Sequence, residues 1–326
     1  MHILVRATNW LGDAIMCLPA LQALRRAHPA AYIAILGPAW VSDLYRGEAF
    51  CDETIVYPKE RGPRNLSAKW KLAQSLRGRF DVAILFQNAF EAAAFARLAN
   101  IPRRIGFNRD GRGWLLTDPI ATAIVGHERF YYLELLTRSG LIDAYDPDSP
   151  IRLNGVIRKN FGRPVIGVSP GAAFGSAKRW YPERFAEAAA IVAQERGADV
   201  ALFGSASEHD IVAIVQRELI ARGIVVENYA GRTELREFME LCAGCELMLT
   251  NDSGAMHVAY AVGTPSVTVF GSTDPIGTGP VGGMARIVRE PVECSPCKLR
   301  ECPIDHRCMT RISPERVAQT ALDLLK

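Results

Sequence analysis

Short aliphatic and β-branched runs alternate along this chain with longer stretches whose apolar residues recur every three or four positions. In the first half, residues 3–5, 32–36, 53–57 and 82–86 read as strands. Between them, residues 14–27 set Ile15, Leu18, Leu21 and Leu24 on one helical face before Pro29 stops the pattern, and residues 66–77 predict a second helix. Periodicity weakens between Gly140 and Gly162, where Asp146, Pro147, Asp148, Ser149, Pro150 and Gly155 signal turns. The cycle then restarts, with strands at 165–169, 199–203, 225–228, 247–250 and 266–270 and helices at 182–195, 208–221 and 234–242. Repeated β-α units with right-handed crossovers give a mainly parallel sheet covered by helices on both faces. The expectation is two Rossmann-like α/β domains, 1–155 and 156–326, facing an interdomain cleft. Ser313 as N-cap, Pro314 and Glu315 open a terminal helix that either covers the second sheet or packs back on the first domain.

The composition narrows the class. A chain of 326 residues with 49% hydrophobic and 22% charged residues is an ordinary globular protein, and 38 basic against 35 acidic residues leave a net charge of only +3. That balance lacks the dense Lys/Arg clustering of a nucleic-acid binder. Arg61, Arg64, Arg103, Arg104, Arg109 and Arg112 nevertheless collect in loop-like segments of the first half. They suit a phosphorylated acceptor, an anionic membrane face or simple solvation. No run approaches the ~20 apolar residues that span a bilayer, and the amino terminus reads as a core strand rather than a signal peptide, so a cytoplasmic location is the default.

Candidate chemistry collects where strands end. Residues 247–275 contain two buried strands that open into small polar loops, with Asp252, Ser253 and Gly254 after the first and Gly271, Ser272 and Thr273 after the second. A strand exit beside free helix N–H groups is where an α/β sheet binds an anionic ligand. His257 follows on the same helix, as a ligand contact or a structural histidine. In P-G-A-A-F-G-S-A-K-R-W at 170–180, Gly171 and Gly175 permit close backbone approach, Ser176 offers a hydroxyl and Lys178 a cation for a diphosphate, while Trp180 packs or stacks on a base. Glu208 follows another strand as a ribose acceptor or a helix-start residue, and Asp274 precedes Pro275 at a turn. Neither G-x-G-x-x-G after strand one nor G-x-x-x-x-G-K-[ST] is present, which weighs against a dinucleotide or Walker-type site. In the first half, Asp13 ends the loop after strand one, as the cap of a helix beginning at Ala14 and as a carboxylate able to take a proton from a substrate hydroxyl.

Cys294, Cys297, Cys302 and Cys308 form C-x2-C-x4-C-x5-C near the carboxyl terminus. Four thiols so close could hold a structural metal, form disulfides or stay free. Cys242 and Cys245 sit among apolar residues and read as buried.

W-L-G-D at 10–13, P-G-A with K-R-W at 170–180, N-D-S-G-A-M-H at 251–257, G-T-P at 263–265 and F-G-S-T-D-P at 270–275 together resemble the bacterial lipopolysaccharide heptosyltransferases of glycosyltransferase family 9, above all their heptosyltransferase II branch. The resemblance implies a GT-B fold and inverting, metal-independent transfer of L-glycero-D-manno-heptose from ADP-heptose to heptosyl-Kdo2-lipid A. It needs no cofactor beyond the ADP-heptose donor. On this pattern Asp13 is the general base and Lys178 meets the phosphates, while Ser176, Glu208, Asp252, Ser253, Gly254 and His257 line the donor site. A monomer in peripheral contact with the inner membrane is implied, without nucleic acid. The alternatives are heptosyltransferase I, another ADP- or UDP-sugar GT-B enzyme including an epimerase-like one, a hydrolase, and a nucleotide-sugar-binding module without catalysis.

Overall fold

The computed structural model describes residues 1–58, 63–122 and 126–326, with the side chains of 63 and 64 left aside. The chain divides into two compact units, Met1–Gly155 and Val156–Lys326. The first holds β1 (His2–Arg6), β2 (Tyr32–Gly37), β3 (Glu53–Val56), β4 (Val82–Leu85), β5 (Arg103–Phe107) and β6 (Asp118–Ile120). They form one parallel sheet in the order β3-β2-β1-β4-β5-β6. The second holds β7 (Val165–Ser169), β8 (Asp199–Leu202), β9 (Val226–Asn228), β10 (Leu247–Asn251), β11 (Ser266–Phe270) and β12 (Ala285–Arg289), ordered β12-β11-β10-β7-β8-β9 and again parallel.

Both units therefore carry the Rossmann strand order, with its reversal between β1 and β4 in one and between β7 and β10 in the other. Central strands buried on both faces need continuous apolar runs, and Val165–Ser169, Leu247–Asn251 and Ser266–Phe270 are buried at every position. These are the two expected Rossmann-like domains.

Helix Leu11–Met16 starts earlier than the apolar periodicity suggests and is followed, after Cys17, by Leu18–Ala27. Helix Pro63–Ser75 covers most of the expected 66–77. Helices Phe90–Leu98 and Glu128–Arg138 and strands β5, β6 and β12 add to the expected elements. The terminal helix Pro314–Leu324 packs on helix Pro182–Arg196, β11 and β12 of its own unit, with Ser313 Oγ accepting from Arg316 N–H at its start.

The arginines expected on the surface of the first unit behave differently. Arg112 is wholly buried: its guanidinium donates to Phe107 O at 3.1 Å, Asn88 Oδ1 at 3.0 Å and Gln87 O. Burial pulls its pKa down to about 10. Arg103 pairs with Asp118, and Arg104 donates to the carbonyls of Leu115 and Ile101. Arg61 lies outside the described residues.

Candidate active site

At the reversal of the second sheet, Asn251 closes β10 and ties the loop after β7 to it. Its Oδ1 accepts from Trp180 N–H at 2.9 Å and its Nδ2 donates to Pro170 O at 2.7 Å, so the first and last residues of that loop are held by one buried side chain. A side-chain amide suits this task, since it offers a donor and an acceptor at once.

The anchored loop delivers Lys178. Its Nζ lies 2.5 Å from Asp252 Oδ2, and Thr273 Oγ1 donates to the same oxygen at 2.5 Å. Three strand exits, those of β7, β10 and β11, thus converge on a carboxylate that is only 4% exposed. A carboxylate buried to that degree needs charge compensation and hydrogen bonds, and here it has both.

Ser253 is the N-cap of helix Gly254–Val262. Its hydroxyl and that of Ser272 are buried with no hydrogen-bond partner among the described residues, and such groups can be satisfied by ligand oxygens. His257 is buried on the same helix, one turn beyond Gly254. Ser176 is exposed in the short turn Ser176–Lys178.

Glu208 closes a capping box, its Oε2 accepting from Ser205 N–H at 2.8 Å and from Ser205 Oγ at 2.9 Å. Its carboxyl also lies against Gly171, where a Cβ would come within 2.0 Å of Oε1. Glu208 thus fills the helix-start role and still reaches the glycine loop after β7. Asp274 caps a short helix by accepting from Ile276 N–H at 3.0 Å. Trp180 is 1% exposed and meets Phe185 edge-on at 5.0 Å, which is core packing rather than a platform for a base.

In the first unit Asp13 is half-buried beyond the carboxyl end of β1. It is not the cap expected of it. The helix begins at Leu11 with Trp10 as N-cap, so Asp13 lies inside the first turn, where a negative charge also suits the helix dipole. Around it stand groups that the sequence did not point to. Helix Glu128–Arg138 packs on the two short helices that flank Cys17, and the charges of Asp13 and Glu128 both reach Tyr132 and Cys17. Burial, with those carboxylates adding to it, holds both groups protonated. Burial also raises the Glu128 pKa, while Arg109 opposes the shift. Glu128 escaped notice because an acidic residue at a helix start is the commonest of N-terminal signals.

All eight cysteines are free thiols, and among the described residues no group of three or more His, Cys, Asp or Glu side chains is disposed to hold a metal ion. Cys294, Cys297, Cys302 and Cys308 line one small cavity with Ala177, Ser272 and His306. Burial pushes the Cys308 thiol up to about 11, and the neighbouring Cys294, Cys302 and Cys297 add to it. Cys242 and Cys245 are buried as expected, with the Cys245 thiol pushed up to about 12 by desolvation.

Residues 69–307 match the family model described as Glycosyltransferase family 9 (heptosyltransferase). The lipopolysaccharide heptosyltransferase 2 of Salmonella typhimurium is 32% identical across 100% of this chain and 99% of its own length. The solved ADP-heptose LPS heptosyltransferase II of E. coli superposes with a TM-score of 0.82 at 30% identity, covering 100% of this chain and 98% of that one. A family 9 glycosyl transferase from Veillonella parvula reaches a TM-score of 0.85 at 23% identity, over 99% of this chain and 97% of that one, a likeness of fold. With its Rossmann pair and its carboxylate-lysine cluster at a strand reversal, the chain belongs to glycosyltransferase family 9, the heptosyltransferases.

Proposed function

We propose that the protein transfers L-glycero-D-manno-heptose from ADP-heptose to heptosyl-Kdo2-lipid A, inverting the anomeric centre without a metal. The end-to-end similarity to heptosyltransferase 2 sequences carries this reading. The second unit takes the donor, and the first takes the acceptor.

The chemistry is a direct displacement. Asp13 accepts the proton of the acceptor hydroxyl, that oxygen bonds to the anomeric carbon, and the bond from that carbon to the diphosphate breaks with its electron pair leaving on ADP. The N–H groups opening helix Gly254–Val262, the hydroxyls of Ser253 and Ser272, and Lys178 stabilise the charge that develops on the leaving group. Asp252 orients Lys178 and Thr273 and stays off the diphosphate, since a bare carboxylate would repel it. Glu208 and His257 line the nucleotide side.

No helix among the described residues is long and apolar enough to cross a membrane. A lipid-anchored acceptor nevertheless requires an approach to the cytoplasmic face of the inner membrane. Exposed Trp10, Trp70 and Trp114 of the first unit suit that contact, because indole rings favour the headgroup region.

The deciding experiment incubates the chain with ADP-heptose and heptosyl-Kdo2-lipid A and follows ADP release together with acceptor mass. One heptose added per ADP released is expected. ADP with free heptose and an unchanged acceptor would mean a hydrolase, saturable binding without product a sensor, and transfer only to Kdo2-lipid A the type I reaction.

A further inference from the structure

We propose that Arg300, carried by the cysteine-rich loop, supplies a second cation to the donor diphosphate beside Lys178. The inference rests on the ADP-sugar reading of the second unit and explains what the cysteine-rich segment does there.

The loop is laced to the donor-side strand exits. Ser295 Oγ donates to Gly271 O at 2.6 Å and Lys298 N–H to Ser272 O at 2.7 Å, both just after β11. On the other side, Ala177 N–H donates to Arg300 O at 3.0 Å, and His306 Nε2 lies 3.1 Å from Ala177 O. The approach is close enough to require a glycine, because a Cβ at Gly175 would stand 2.2 Å from Arg300 O. Backbone contacts thus set Arg300 beside the loop that carries Lys178.

The two cations share one ring. Lys178 Nζ is 4.9 Å and the Arg300 guanidinium carbon 5.2 Å from the centre of Phe174. Each gains from the ring's π electrons, and an anion that meets both cations offsets the repulsion of their like charges.

Charge balance favours a second cation. Lys178 shares its charge with Asp252, so the pair offers a diphosphate the N–H donors of an ammonium but little net positive charge. Arg300 is exposed and forms no ion pair among the described residues, not even with the adjacent and exposed Glu301, while Glu293 and Asp305 of the same loop pair with Arg307. A guanidinium fork also matches two phosphate oxygens at once, which an ammonium cannot do.

The test measures binding of ADP and adenosine to the full-length chain by calorimetry, for wild type, R300A and R300K. R300A should weaken ADP by roughly ten- to hundredfold while adenosine affinity stays put, and its ADP binding should depend less on salt. R300K, which keeps the charge without the fork, should fall between. The Arg300 side chain is exposed and its loop contact runs through the main chain, and unchanged adenosine affinity reports an intact pocket in each variant. Wild-type ADP affinity in R300A, or an equal loss for adenosine and ADP, overturns the inference and leaves the donor reading standing. A wild-type chain that binds no ADP overturns the donor reading itself.

Discussion

Lys178 Nζ and Asp252 Oδ2 stand 2.5 Å apart, joining the loop after β7 to the end of β10 across the reversal of the second sheet. The pair is the electrostatic hinge of the donor side, because Asp252 is buried and its remaining bond comes from Thr273. Removing the lysine leaves a buried carboxylate uncompensated, a change that costs about 3–5 kcal/mol in buried pairs. K178A is therefore expected to lower the melting temperature and to weaken ADP binding, whereas K178A/D252N, in which no charge is stranded, should regain most of the stability and none of the affinity. Thermal denaturation and calorimetry on the same samples check this. Equal ADP affinity in K178A and wild type would remove Lys178 from the phosphate site.

A second expectation concerns Asp13. D13N keeps the size of the side chain and its place in the first turn of helix Leu11–Met16 but loses the proton acceptor. General-base catalysis contributes roughly 10²–10⁴-fold, so kcat should fall by that order with ADP-heptose affinity unchanged. Single-turnover assays with radiolabelled donor separate the two quantities. Turnover within a few-fold of wild type would move the base elsewhere, with Glu128, whose charge reaches the same Tyr132 and Cys17, the next group to examine.

Much of the donor side was legible in the sequence because strand exits announce themselves. Continuous apolar runs ending in N-D-S-G or P-G-A put Asp252 and the Lys178 loop at carboxyl ends of parallel strands, and the Rossmann order brings those two ends together. The cap assigned to Asp13 failed for a local reason: Gly12 looked like a loop residue, yet W-L-G-D enters the helix directly. β5 and β12 were hidden by arginines, R-R-I-G-F and A-R-I-V-R, which break the apolar run, and β6 is a three-residue edge strand containing Pro119. Arg300 was hidden among the cysteines of C-x2-C-x4-C-x5-C, whose thiols carry the evident chemistry of that segment, and Glu128 by its ordinary place at a helix start. Their partners come from distant segments, a contact that periodicity does not encode.

Glu128 makes stability depend on pH in a direction that can be worked out. Burial raises its folded pKa above the ordinary 4.5, so the folded protein binds the proton more tightly than the unfolded chain. Its contribution is fully present below pH 4.5 and is lost as pH rises through the higher folded value. E128Q, neutral at every pH, should therefore melt above wild type at pH 7, and the gap should close as pH is lowered below 4.5. Melting curves of both proteins across pH 4–8 measure it. A gap that does not vary with pH would show that the carboxyl is not desolvated as the packing implies.

The glycine at 171 gives the last expectation. A Cβ there would stand 2.0 Å from Glu208 Oε1 and 2.2 Å from its carboxyl carbon, well inside contact distance, so G171A must displace either the loop or the glutamate. Displacing Glu208 breaks its two bonds to Ser205, a capping loss of about 0.5–2 kcal/mol, and shifts the loop that carries Lys178. G171A should thus lose both stability and ADP affinity. Truncating the obstacle in E208A/G171A should restore part of each, so that the double variant is less impaired than the sum of the single changes. A double-mutant cycle in melting temperature and ADP binding reads the coupling. Strict additivity would mean that the carboxylate swings clear at no cost and that Gly171 is required for another reason.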